Sequence, residues 1–389
     1  MLNNQNTQKT ERRYDLDWLR VLAFFILILF HSGMAFVDFP WHINNAETSQ
    51  GMTMVWGFLH SWRMPLLFVI SGAGIWYAFR KRNAFQFMKE RSIRLLIPLI
   101  FGILVIVPPQ IYLERLTQGV NFSSYIDFYP HFFEGYYFSE EGGNFSPHHL
   151  WFIGSLFIYC LAILPIILFM KSDLGLKLQG KIDQLMAHKN AIYLIFIPFY
   201  IAQVFIGGDM LLNAPSALLM TLGFILVGSK TLWPSVEKNR YTSLMLGGIL
   251  TALSYWMLLT PDYIFAPWQK ELVTVPSILY ILFAILGFGR HHLNFNNAFL
   301  KYSNEGVYAF YILHQTITVF LVYHLVSMEM NMWFKFALAT VGTVTFTLAI
   351  YHFMIRPYNL VRPFFGLRQL KSKQSALQSK PLTSVDVNV

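Results

Sequence analysis

The feature that most constrains this chain is a series of apolar runs, each reaching the roughly 20 residues that a helix needs to cross a bilayer. The runs recur from one end of the chain to the other. Only 13% of its 389 residues are charged and its mean hydropathy is +0.45, whereas soluble domains carry about 25% charged residues. We therefore predict an all-α integral membrane protein.

About ten transmembrane helices are predicted. The spans are 17–38, 53–79, 91–111, 149–170, 190–207, 212–229, 241–260, 272–289, 304–327 and 331–356. One transmembrane domain, 17–356, then lies between an N-terminal tail, 1–16, and a basic C-terminal tail, 357–389. The first run is not a cleaved signal, because it contains Arg20 and His31 and has no small-residue cleavage site.

The distribution of basic residues predicts the orientation. With ten spans, 24 of the 29 Lys and Arg residues fall in the tails and in alternate loops, whereas the remaining loops hold two, Arg115 and Lys270. Cytoplasmic loops are enriched in Lys and Arg, so both termini are predicted to be cytoplasmic. The same bias explains the net charge of +9 without a nucleic-acid partner.

The single cysteine, Cys160, lies inside an apolar run and is interpreted as a small core residue. One cysteine cannot form an internal disulfide, and no group of Cys and His residues has the spacing of a structural zinc site. The sequence therefore predicts no metal centre.

Charged side chains inside spans are costly, and they mark function or a buried partner. Arg20 and His31 lie eleven residues apart on the first span. That separation brings them within about 20° of whole turns, on one helix face and about 16 Å apart. Asp38 falls on nearly the same face towards the outer end.

On the second span, His60 and Arg63 are three residues apart and share a face. His60 and His31 each lie about two turns below the outer end of their helix, and antiparallel packing brings His31, His60 and Arg63 to a similar depth. A lone intramembrane histidine is as often a packing residue as a functional one. The convergence of His31, His60 and Arg63 at a similar depth favours a functional site.

The ninth span carries His314 at mid-depth, with Tyr311 one turn away and Glu305 near the inner end. His314 is open to two interpretations, a helix–helix hydrogen bond or part of the site. Glu305 is interpreted either as a partner for an inner arginine or as a functional carboxylate. His149 and Trp151 open the fourth span at the outer surface.

Arg91 and Arg94 lie three residues apart at the inner start of the third span. They satisfy the positive-inside bias, or they form a clamp for an anionic group, because arginine offers bidentate geometry to phosphate. The outer loop 112–148 is acidic and rich in aromatic residues. The aromatic side chains of this loop are interpreted either as an interfacial belt or as a surface on which a sugar stacks.

Several segments of the chain resemble the bacterial membrane acyltransferase-3 family. The first, YDLDWLRVLAFFILILFHSGMAF, carries a basic residue, ten residues and a histidine, as that family does. The others are RMPLLFVISG (63–72), RSIR (91–94), HHLWFIGSLFIYC (148–160) and SNEGVYAFYILHQTI (303–317). WHINNAETS (41–49) and HSWRM (60–64) are most similar to the branch that succinylates periplasmic glucans. Pro65 departs from the family pattern and changes the expected geometry beside Arg63.

The resemblance implies an O-acyltransferase in the bacterial inner membrane. Its co-substrate is acyl-CoA, it has no tightly bound cofactor, and its acceptor is a periplasmic or cell-surface carbohydrate. Succinyl and acetyl both remain open as the acyl group. Arg91 and Arg94 are implied donor-binding residues, and His31 is implied as the general base or as the carrier of a transient acyl group.

The other implied residues extend this site towards both sides of the membrane. Arg20 holds the donor or orients the pocket, while His60 and Arg63 stabilise an oxyanion or bind the free carboxylate of a dicarboxylic acyl group. The predicted acceptor side comprises His42, Glu47, His149 and Trp151. The main rival is a proton-coupled transporter, although the sequence shows no repeated half and no paired broken helices.

Overall fold

The structure is a computed structural model, and it describes residues 12–140, 142–188, 190–208, 212–260 and 265–370. Both predicted tails are therefore described only in part. Of the basic residues counted above in the tails and loops, Lys9, Lys189, Lys371, Lys373 and Lys380 lie outside the described residues, as do Glu141 of the predicted outer loop and Asp209 between the fifth and sixth predicted spans.

The described residues form fifteen α-helices and no strand. The helices are α1 Tyr14–Gly33, α2 Gln50–Phe79, α3 Ala84–Phe101, α4 Pro108–Thr117, α5 Tyr125–His131, α6 Trp151–Ala162, α7 Leu164–Met170, α8 Asp173–Met186, α9 Phe196–Phe205, α10 Ala214–Gly228, α11 Leu232–Lys238, α12 Arg240–Leu259, α13 Pro267–His292, α14 Ala298–Leu325 and α15 Met332–Ala349. Short 3₁₀ segments and two π segments complete them. The 3₁₀ segments are Met34–Phe36, His148–Leu150, Ala191–Ile195 and Arg362–Phe365, and the π segments are Gly102–Ile106 and Ile350–Ile355.

Six helical stretches of the described chain are long and apolar enough to cross a membrane. They are Tyr14–Phe36, Ala84–Thr117, Arg240–Leu259, Pro267–His292, Ala298–Leu325 and Met332–Ile355. Counting two bent helix pairs as one span each raises the number to eight. The prediction of an all-α, multi-pass membrane protein is confirmed, while the number ten and the cytoplasmic termini stay predictions.

Helical segments occur in every predicted span, but three of the spans are bent or short. The fourth is bent by 43° between α6 and α7, where Pro165 follows the break at Ile163, because proline cannot donate the helical hydrogen bond. The sixth turns by 98° between α10 and α11. The fifth, Ala191–Phe205, is shorter than the roughly 20 residues of a full crossing.

The second helix, Gln50–Phe79, is 30 residues long but is not among the six, and it carries His60 and Arg63. It packs closely on α10 through glycines. A Cβ added at Gly72 would lie 1.8 Å from the Met220 carbonyl oxygen. Small residues allow such close approach of membrane helices.

The α1 helix lies at the centre of the molecule and packs against α2, α13, α14 and α15. Its partner α14 also packs against α4 and α15. Arg20 and His31 both contact α14, through Asn304 and His314 respectively. The face of α1 that carries Arg20 and His31 therefore packs against α14.

The third span extends beyond its predicted end, since α3, a π segment and α4 run on from Ala84 to Thr117. Residues at the start of the predicted outer loop are therefore helical. Within the rest of that loop, the rings of Phe128 and Phe132 are buried, whereas Tyr136 and Phe138 are exposed. Only the exposed rings are available to a membrane interface or to a sugar.

Candidate active site

A histidine pair joins α1 to α14 in the middle of the molecule. Nδ1 of His31 lies 2.6 Å from Nε2 of His314, and the rings stack with centroids 4.9 Å apart. Nδ1 of His314 lies 2.6 Å from the Tyr311 carbonyl oxygen. A carbonyl only accepts, so this nitrogen carries the hydrogen and Nε2 of His314 accepts from His31. In neutral His31, Nε2 therefore keeps its lone pair, ready to accept a proton.

A third histidine, His149, packs against this pair from the start of α6. Its ring lies 5.3 Å from that of His314 at nearly a right angle. Its Nε2 donates to the Ile312 carbonyl at 3.0 Å, and its own carbonyl accepts from the Tyr311 hydroxyl. The preceding His148 has a left-handed backbone with φ of 40°, a strained conformation that is concentrated at functional sites.

Arg63 and His60 approach the site from α2, through the ring of Phe30. The Arg63 guanidinium lies 3.8 Å from the centre of that ring, and the His60 ring stacks on the same ring with its centroid 5.9 Å away. Arg63 is only 2% exposed, and among the described residues its Nε and Nη1 atoms have no hydrogen-bond partner. Phe30 is the chain neighbour of His31, so a buried, unpaired cation lies beside the histidine pair.

A second polar group lies on the predicted acceptor side. The segment after α1 folds inward and places His42 against Glu114, to which its Nδ1 is hydrogen-bonded. On the other edge of its ring, Nε2 accepts from the Gln315 amide at 3.0 Å. Gln315 follows His314 directly on α14, so the two polar groups share one helix.

Glu114 is itself 2% exposed and accepts a 2.8 Å hydrogen bond from the Tyr137 hydroxyl. Burial, and then the neighbouring carboxylate, raise the pKa of Tyr137, so its hydroxyl remains protonated and acts as the donor. Tyr137 also contacts the ring of His148 at 4.7 Å. The outer loop thus closes over His42 and Glu114.

Three predicted site residues lie elsewhere. Asp38 is exposed beyond the end of α1, where the helix gives way to the 3₁₀ turn, and it accepts from Thr48 and Thr53. Its assignment to the first span is wrong. Glu47 is also exposed and does not join His42. Trp151 is half-buried and packs on phenylalanines, 6.4 Å from the ring of Phe68.

The end of the bundle that is predicted to face the cytoplasm, called the inner end below, contains a cavity of about 450 Å³, and Arg20, Arg91 and Arg94 line it. Arg20 lies 3.3 Å from the Asn304 amide oxygen and 3.5 Å from Asp17. Arg94 lies 3.4 Å from Glu90. The walls include apolar residues of α2 and α6, so the cavity is basic in part and apolar in part.

Glu305 lines the same cavity and forms ion pairs with Arg356 at 3.3 Å and Arg362 at 3.0 Å. Of the two interpretations of Glu305, the structure therefore favours a partner for inner arginines. Arg362 is buried and also donates to two backbone carbonyls. These contacts of Arg362 hold the segment after α15 against the wall of the cavity.

A single aromatic layer separates the inner cavity from the histidine pair. Phe24 and Phe152 line the cavity, and their rings lie 5.5 and 6.0 Å from that of Tyr311. Tyr311 in turn contacts the His314 ring at 6.0 Å. A ligand group that enters the cavity from the inner side is therefore separated from the histidine pair by only one aromatic layer.

Five polar residues of the site were not among those predicted from the sequence: Gln110, Glu114, Tyr137, Asn304 and Gln315. Glu114 fell in a predicted loop, although the helical spacing of Gln110 and Glu114 on an extended third span was a usable signal. Within the described part of the chain, no group of three or more His, Cys, Asp or Glu residues has an arrangement that could hold a metal ion.

Comparison with known proteins agrees with the resemblance. Residues 13–352 match the model of an acyltransferase domain family. The chain is similar to "Glucans biosynthesis protein C" of Escherichia coli strain UMN026, with 23% identity over 380 residues, covering 90% of this chain and 94% of the relative. The protein of the same name from strain HS is 22% identical over the same shares. No solved structure matches the chain.

Nearly the whole helical bundle lies within the matched residues, including both polar groups and most of the inner cavity, whose remaining wall is formed by residues 362–368. These relatives give no support to the alternative function, a proton-coupled transporter. The protein belongs to the acyltransferase-3 family and is a multi-pass membrane acyltransferase.

Proposed function

We propose that the protein transfers an acyl group from cytoplasmic acyl-CoA to a hydroxyl of a periplasmic or surface glycan, with His31 as the general base. The observation that carries this proposal is the His31–His314 pair. Its hydrogen bonds leave Nε2 of His31 as the basic nitrogen. Imidazole titrates near neutral pH, which suits proton transfer from a sugar hydroxyl.

In this mechanism the glycan oxygen attacks the thioester carbonyl carbon. The new C–O bond forms, the C–S bond breaks and coenzyme A leaves as the thiolate. His31 takes the hydroxyl proton on Nε2 and then gives it to the thiolate. The same nitrogen can instead attack the thioester and form a transient acyl-histidine, a route that a burst of coenzyme A release before acceptor addition would reveal.

Arg63 is proposed to bind negative charge at the reacting centre. Its buried guanidinium, without a carboxylate partner in the described chain, would otherwise carry an uncompensated desolvation cost. Two anions fit this position, the oxyanion that develops on the thioester carbonyl and the free carboxylate of a succinyl group. His60, which contacts the same ring, supports either role.

The donor is proposed to enter the inner cavity, where the arginines bind its phosphates and the apolar walls hold its acyl arm. No resident cofactor is needed for this chemistry. The acceptor is proposed to dock over His42 and Glu114, near the exposed rings of Tyr136 and Phe138. The name of the relatives makes a glucan the first acceptor to test.

The proposed topology has ten spans with both termini in the cytoplasm of a bacterium, in its inner membrane. The excess of Lys and Arg in alternate loops supports it. A fluorescent protein that matures only in the cytoplasm, fused after Val389, is expected to be bright. An exported phosphatase that is active at the same position would contradict this orientation.

The function is tested by mass spectrometry of periplasmic and surface glycans from cells with and without the protein. The expected result is an acyl substituent, succinyl or acetyl, that disappears on deletion and is not restored by His31→Ala at equal membrane abundance. Glycans that are identical in all three strains would contradict the proposal.

A further inference from the structure

The inner face of the bundle has two cavities that adjoin. The first, of about 460 Å³, lies between the start of α1 and the end of α2. The second is the basic cavity of about 450 Å³ already described. Arg20 and Gly74 line both. Each has the size of a pocket for one small ligand, so a long ligand with two distinct ends can occupy the pair.

Unpaired cations are present in both cavities. In the first, Arg12 and Arg13 have carboxylate partners at 2.9 and 2.5 Å, which leaves Arg80 and Lys81 at its rim. Arg91 lines the second. Among the residues that the structure describes, no carboxylate oxygen lies within 4.0 Å of Arg80, Lys81 or Arg91. The pair of cavities thus presents two separate positive centres.

Coenzyme A has a matching charge distribution. Its diphosphate lies between the nucleoside and the pantetheine arm, while a second anionic group, the 3′-phosphate, is at the far end on the ribose. The first cavity also offers an aromatic ring, Tyr77, for the adenine. The second offers apolar walls, including Leu67, Phe152 and Leu156, for the pantetheine and acyl end.

We infer that the first cavity is a subsite for the adenosine 3′-phosphate of the donor, with Arg80 and Lys81 as the phosphate ligands. The chain of the donor passes Gly74 into the second cavity, where Arg20 and Arg91 face the diphosphate. This inference rests on the proposed use of acyl-CoA. It adds a second recognition site, which the arginines of the third span alone do not supply.

The charge assignment is tested by measuring Kd for coenzyme A and for 3′-dephospho-coenzyme A on the full-length protein in nanodiscs. The wild type is expected to bind coenzyme A about tenfold more tightly, since a hydrogen-bonded phosphate contributes roughly that factor. Arg80→Gln with Lys81→Gln is expected to bring the ratio close to one. The matched control, Lys177→Gln with Lys181→Gln, removes two exposed charges from α8, outside both cavities, and is expected to keep the wild-type ratio.

The outcomes separate this inference from the function on which it rests. A wild-type protein that binds neither nucleotide contradicts the donor assignment, and the subsite with it. A wild-type protein that binds both equally contradicts the subsite alone. The subsite is also wrong if the Arg80/Lys81 variant keeps the full preference for coenzyme A.

The path between the cavities is tested at Gly74. A Cβ added there meets no heavy atom within 4 Å, so a leucine is accommodated by the packing and projects into the junction. Gly74→Leu is expected to raise Kd for coenzyme A by about tenfold or more. The matched control is Gly248→Leu on α12, where a Cβ also meets nothing within 4 Å and which lines neither cavity. An unchanged Kd for Gly74→Leu would mean that no ligand bridges the cavities.

Discussion

His314 determines which nitrogen of His31 is basic. Nε2 of His314 lies 2.6 Å from Nδ1 of His31, while its own Nδ1 is engaged by the Tyr311 carbonyl at 2.6 Å. The pair resembles the histidine and its orienting partner in a catalytic triad, with a neutral imidazole in place of the carboxylate. The proposed base is thus positioned by an adjacent helix.

This relationship predicts that His314→Leu lowers kcat by on the order of 10²-fold, with little change in KM for either substrate. His31 then loses the acceptor that fixes its tautomer. His314→Gln is expected to recover part of the rate, because the amide oxygen can accept from Nδ1 of His31. The prediction is checked by steady-state kinetics on both variants, once their thermal stabilities have been shown to be equal. Equal rates for the two variants would point to a purely structural role.

The contact between His42 and Glu114 predicts energetic coupling. Buried partners in one hydrogen-bond network couple by about 0.5–3 kcal/mol, so the effects of His42→Gln and Glu114→Gln on KM for the acceptor should not add. A double-mutant cycle measures this coupling. The control cycle pairs His42→Gln with Glu47→Gln, since Glu47 is exposed and does not contact His42, and its effects should be additive. Additive effects on KM in both cycles would contradict a joint role of His42 and Glu114 in the acceptor site.

Arg63 is predicted to contribute to activity without stabilising the fold. No ion pair of the described chain is broken by Arg63→Met, and a buried charge is removed, so the thermal midpoint is expected to stay equal or rise. Activity should fall by on the order of 10²-fold, because the charge at the reacting centre is lost. Thermal midpoints and acyl-transfer rates, measured on the same preparation of each variant, test both expectations. A large loss of stability with full specific activity would reverse the assignment.

Asp183 on α8 predicts a pH-dependent contribution to stability at the bend before α11. Burial raises the pKa of its carboxyl, but hydrogen bonds from Ser229 and Thr231 outweigh burial and lower it. A lowered pKa stabilises the fold above the unfolded value of about 3.9 and ceases to do so as the pH falls through the folded value. Asp183→Asn should therefore lower the thermal midpoint at pH 7, and the deficit should be smaller at pH 3. A deficit that is the same at both pH values would exclude this linkage.

The sequence was sufficient for the features that hydrophobicity and helical geometry determine. The apolar run 17–38 and the eleven-residue spacing of Arg20 and His31 predicted one helix that carries both residues on one face, and both residues do contact α14. These inferences need only local periodicity.

The rest depended on contacts between distant segments. Glu114 reaches His42 because α4 carries the third span past its predicted end and because the segment after α1 folds inward. Asp38 was misplaced because the sequence does not show where a helix tightens into a 3₁₀ turn. The cavity pair was not foreseeable either, since Gly74 and Arg20 line it from different helices.

The most direct test of the central claim is acyl transfer by the purified protein in oriented proteoliposomes. Acetyl- or succinyl-CoA is supplied on the side of Arg91 and a glucan on the side of His42, and acylated glucan and free coenzyme A are measured. We expect stoichiometric formation of both products across the membrane, and their loss in His31→Ala. Full transfer by a folded His31→Ala variant would contradict it.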